Sequence, residues 1–80
     1  MRTIIGFSLN NDSNSALRNR LLSILKTAGL GRVGTGTYEG HVQEAKLQSV
    51  LGEFWGAILT HRGDAHLDHF FMWVGDPPSR

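Results

Sequence analysis

From Arg2 to Leu9 the chain alternates. Thr3, Ile5, Phe7 and Leu9 form a strongly apolar row, and Ile4, Gly6 and Ser8 a row of smaller residues, so the segment reads as a strand. NNDSNS behind it carries turn and helix-capping side chains. Leu17, Leu21, Ile24, Leu25 and Ala28 then recur at helical spacing, and Gly29 is a natural helix stop. From Arg32 to Val42, threonine, valine and tyrosine are interrupted by Gly34, Gly36 and Gly40. That pattern predicts one bent strand, or two short ones around a tight kink. Leu47, Val50, Leu51, Phe54, Trp55 and Ile58 mark a second amphipathic helix from about Gln43. THRGDAH is a polar loop, Leu67 to Val74 a strand with apolar residues on both faces, and GDPPSR a stop.

This order predicts a single α+β domain over residues 1–80. The expected architecture is a ferredoxin-like βαββαβ sandwich, with both helices on one face of an antiparallel sheet. The other face then has no cover. If Ile5, Phe7 and Leu9 face the helices, Ile4, Gly6 and Ser8 line the open side. The last strand adds either Phe70, Met72 and Val74 or Phe71 and Trp73 to it. An apolar patch of that kind marks a partner surface, and a homodimer packed through its sheets is expected, with Ile4, Gly6 and Ser8 at the interface.

Size points the same way. A chain of 80 residues buries only about 60–65% of its unfolded surface, and self-association covers the deficit. With 40% hydrophobic and 19% charged residues the chain is too apolar for disorder. It has no cysteine, hence no disulfide and no thiolate zinc ligand. The first strand lacks a cleavage site, and no apolar run approaches the roughly 20 residues of a membrane helix, so a cytoplasmic protein without a membrane partner is expected. The net charge of +1 predicts no partner by itself. Its distribution says more: Arg18, Arg20, Lys26 and Arg32 follow one another with no acid between Ser13 and Arg32. Such a run is either a solvated helix face or a nucleic-acid contact, for which Arg18, Arg20 and Arg32 are the candidates.

Several short motifs lack the context their chemistry needs. Gly29 to Gly34 matches G-x-G-x-x-G, but a helix precedes it and a strand follows, the reverse of a dinucleotide site. Gly6-Phe-Ser8-Leu-Asn10 approaches a nucleophile elbow, yet Asn10 replaces the last glycine and the chain is too short for that fold. HRGDAHLDH gathers His61, His66 and His69 with Asp64 and Asp68, without a recurring ligand spacing; it reads as a polar loop rather than a metal site. Glu39, after Tyr38 at the bend of the middle strand, is a lone acid.

VGTGTYEGHVQEAKL, Val33 to Leu47, carries Tyr38-Glu39-Gly40 as a turn and QEAKL as the start of a helix. In this it resembles the small CRISPR-associated adaptation endoribonucleases, the "Cas two" family, and the related virulence-associated protein D toxins. The resemblance extends over almost the whole chain. It implies a ferredoxin-like homodimer with facing sheets. In those families the first strand ends in aromatic-Asp-aliphatic, and the aspartates of two subunits help hold a divalent metal for phosphodiester cleavage. Here the matching tripeptide is Phe7-Ser8-Leu9, and Asn10 replaces an acid found two residues later in some members. A neutral hydroxyl does not supply the charge a hard Mg²⁺ ion needs, so the metal position is degenerate at Ser8. GDPPSR is also too short and proline-rich for the last strand that some members add to the partner subunit.

The resulting expectation is a homodimeric, nuclease-like protein that binds nucleic acid or acts as a scaffold, with no cofactor. Two alternatives stand beside it. One is a Mg²⁺-dependent endoribonuclease that recruits Asp12 or Glu39 as catalytic substitutes for the missing aspartate. The other is a small-molecule or protein sensor, since this architecture supports many functions.

Overall fold

The computed structural model describes residues 1–75. The elements run β1 (Arg2–Asn10), α1 (Ala16–Thr27), β2 (Gly31–Gly34), β3 (Thr37–His41), α2 (Glu44–Thr60) and β4 (His66–Gly75). The strands form one sheet in the order β2-β3-β1-β4, with every neighbouring pair antiparallel. This is the ferredoxin-like α+β arrangement. The stop read at GDPPSR falls, past Gly75, outside the described residues. Among the described residues no helix is long and apolar enough to cross a membrane.

Both ends of α1 are closed by residues of the flanking segments. At the C-terminus of α1, Gly29 takes φ 96°, and Gly29 and Leu30 donate their N–H groups to the carbonyls of Lys26 and Leu25, each at 3.0 Å. This is a Schellman closure, and the buried Leu30 seals it against Leu25. At the N-terminus Ser15 makes no side-chain cap. Asp12 does the work from further back: its carboxylate accepts from the N–H of Leu17 at 3.3 Å and of Arg18 at 2.9 Å. Asp12→Ala should therefore cost about 0.5–2 kcal/mol of stability. Chemical denaturation measures it, and an unchanged midpoint would show that the cap is not needed.

The glycine-broken middle segment is two strands. Gly36, at φ 70°, turns β2 into β3, and its carbonyl accepts from the Phe7 N–H at 3.0 Å. One reading needs correction. Tyr38, Glu39 and Gly40 are not a turn that launches α2; they lie inside β3, opposite Ile5, Ile4 and Thr3 of β1. Gly40 is there for a different reason. The Gly29 carbonyl comes so close over it that any Cβ would overlap backbone.

The core lies between the sheet and the helices. Ile5, Phe7, Leu17, Leu21, Leu25, Tyr38, Val50 and Phe54 are buried there. Phe54 is at the centre, with ring centroids 5.4 Å from Phe7, 5.4 Å from Phe70 and 5.6 Å from Trp55. The register of β4 decides what the open face carries. Met72 pairs with Ile5 on the helix side, while Trp73 pairs with Ile4 and Phe71 with Gly6 on the other.

Candidate functional site

Three groups of side chains merit a functional reading. The first is the open sheet face. Phe71 and Trp73 are 53% and 47% exposed, beside the half-buried Ile4. The Phe71 ring lies directly over Gly6, where a Cβ would collide with it. At one end of the face Arg2 forms an ion pair with Glu39 and sits over the Trp73 ring, 5.9 Å from its centroid.

The second group lies at the other end of that face. A bulge opposite Ser8 and Leu9 makes Asp68 the extra residue of β4. Asp68 Oδ2 is 2.6 Å from His69 Nδ1 and accepts from Ser8 Oγ at 3.3 Å. Ser8 Oγ is also 3.4 Å from His69 Nδ1. The hydrogen bond from His69 is the main cause that holds Asp68 below the usual carboxylate range. Ser, His and Asp thus meet, but not as a proton relay. A relay needs the carboxylate on one ring nitrogen and the hydroxyl on the other. Here both engage Nδ1.

The substitute acids are occupied. Asp12 caps α1 and Glu39 pairs with Arg2. Asp12 and Ser8 do line one cavity of about 280 Å³, while Glu39 is on the opposite face of the sheet from the helices, next to Ile4. The histidines do not gather: His66 Nδ1 is 3.1 Å from the Asp64 carbonyl, and His69 is on the open face. Among the described residues no three His, Asp or Glu side chains are placed to hold a metal ion.

The third group is cationic. Arg18, Leu22 and Lys26 follow at i, i+4 and i+8, one stripe of α1. With Leu30, Arg32 and Tyr38 they line a cavity of about 270 Å³ between α1 and β2. Arg18, Lys26 and Arg32 are exposed, and among the described residues no carboxylate forms an ion pair with them. Leu30 and Tyr38 form a buried floor. The Tyr38 ring stacks on Phe7 at 5.8 Å, and its hydroxyl is buried without a hydrogen-bond partner. Such a group costs about 1–3 kcal/mol. The structure thus brings Arg18 and Arg32 together but not Arg20. Arg20 lines a groove between the helices, with Glu53 and Thr60.

Sequence reading named Lys26 in the positive run and Tyr38 in the middle strand but assigned neither to a contact site. Lys26 was detectable, since at eight residues from Arg18 it stays on the same side of the helix, about 80° away. The unpartnered hydroxyl of Tyr38 leaves no trace in a sequence. Compared with known proteins, the chain matches no family model and shows no significant similarity to a curated protein.

Proposed function

We propose that the chain is a nucleic-acid-binding module without nuclease activity of its own, working as a homodimer. The observation that carries this is the acid-free wall of Arg18, Lys26 and Arg32 along α1 and β2. Phosphates are attracted to such a wall whatever the base sequence. The resemblance to the small CRISPR-associated ribonucleases, with Ser8 in place of their aspartate, supports a binding role over cleavage. So does the commitment of Asp12 to the α1 N-terminus and of Glu39 to Arg2.

The open sheet face supports pairing with a second copy. Ile4, Phe71 and Trp73 form an apolar centre, and each end carries a cation or histidine next to a carboxylate, Arg2 with Glu39 and His69 with Asp68. A face with an apolar centre and a hydrogen-bonded polar pair at each end can meet the same face of a second copy under a two-fold axis. Light scattering should give twice the mass of one chain, and Phe71→Glu with Trp73→Glu should return it to one. A native protein that stays monomeric at high concentration would contradict the pairing.

One observation favours a second reading, a Mg²⁺-dependent endoribonuclease: Ser8 and Asp12 share a cavity. Incubation of labelled DNA and RNA with the protein separates the two. Binding without cleavage, with or without Mg²⁺ or Mn²⁺, is the expected result. Metal-dependent cleavage abolished by Asp12→Asn, which keeps a capping side chain, would establish the ribonuclease instead.

A further inference from the structure

We propose that the cavity between α1 and β2 takes one nucleotide with its base exposed, either free or within a single strand. The base would lie against Leu22, Leu30 and the Tyr38 ring, and its phosphate among Arg18, Lys26 and Arg32. This rests on the nucleic-acid reading above and adds to it a preference for unpaired strands.

Three features lead there. The volume of about 270 Å³ is at the small end for ligand sites, the scale of one heterocycle and its phosphate rather than a base pair. The wall is mixed. A duplex offers its phosphates outward and keeps its bases stacked, so cations alone would serve it; an apolar floor behind the cations matches a base that is free to enter. The third feature is the Tyr38 hydroxyl, buried and without a partner. Each nucleobase edge carries hydrogen-bond donors and acceptors that can satisfy it. The hydroxyl is closed off from water. Arg18 and Tyr38 both line this cavity and a neighbouring one, and Arg18 is the long, exposed side chain whose movement would admit a base edge.

The test compares a mixed-sequence single strand, the matching duplex and adenosine monophosphate, against native protein and Tyr38→Phe. The native chain should hold the single strand about tenfold or more tighter than the duplex at equal salt. Tyr38→Phe should lose most of that preference and leave duplex affinity unchanged. It should also melt no lower than native, because it sheds an unpartnered hydroxyl. A merely structural tyrosine would shift melting and leave the preference alone. Equal affinity for single strand and duplex, both abolished by loss of the three cations, would overturn the nucleotide cavity and leave the nucleic-acid reading intact. Saturable binding of adenosine monophosphate that depends on Tyr38, with no binding of either polymer, would support the cavity and overturn the polymer reading. No binding of any of the three would overturn both.

Discussion

Phe54→Ala is expected to lower the unfolding free energy by about 3–5 kcal/mol. Phe54 is fully buried, and its ring meets Phe7 of β1, Phe70 of β4 and Trp55 beside it on α2. It ties α2 to β1 and to the edge strand β4 through three ring contacts. A chain of 80 residues has only about 4–12 kcal/mol to lose. The loss is therefore a large share of the total, and the urea midpoint read by tryptophan fluorescence should fall steeply. A loss under about 1.5 kcal/mol would mean that the space collapses freely and that the aromatic cluster is not the centre of the core.

The second large effect concerns binding. Replacing Arg18, Lys26 and Arg32 together with alanine should weaken nucleic-acid binding on the order of a hundredfold at low salt. All three are exposed, so thermal stability should barely change. Arg20→Ala is the matched control. Like each single replacement of the three it removes one charge, but from the other side of α1, in the groove with Glu53, and it should cost far less than Arg18→Ala alone. If Arg20→Ala weakens binding as much as the triple variant, the contact lies between the helices rather than along β2.

Much of the fold was legible because two periodicities are clean. Thr3, Ile5 and Phe7 alternate, and Leu17, Leu21 and Leu25 recur every four residues; all six are buried. β4 was less legible, because both its rows are apolar. Only the ladder to β1 shows that Phe71 and Trp73 stay outside, and only the bulge at Asp68 brings that carboxylate to Ser8 and His69. Gly40 misled for a physical reason. A glycine after an aromatic and an acid looks like a turn, whereas here it clears room for the Gly29 carbonyl. The cationic site was half legible. A run of positive residues gives the charge of a segment but not its direction. Helical phase, at about 100° per residue, places Lys26 with Arg18 and sends Arg20 away.

The central claim is that the α1–β2 wall engages phosphates, and the salt dependence of affinity tests it most directly. Native protein and a labelled oligonucleotide are titrated over a range of monovalent salt. Log affinity should fall linearly with log salt, with a slope of about −2 to −3 for each protomer engaged, as three phosphate contacts require. The triple alanine variant should lose that slope. Affinity that is absent at low salt, or that does not change with salt, would contradict the account.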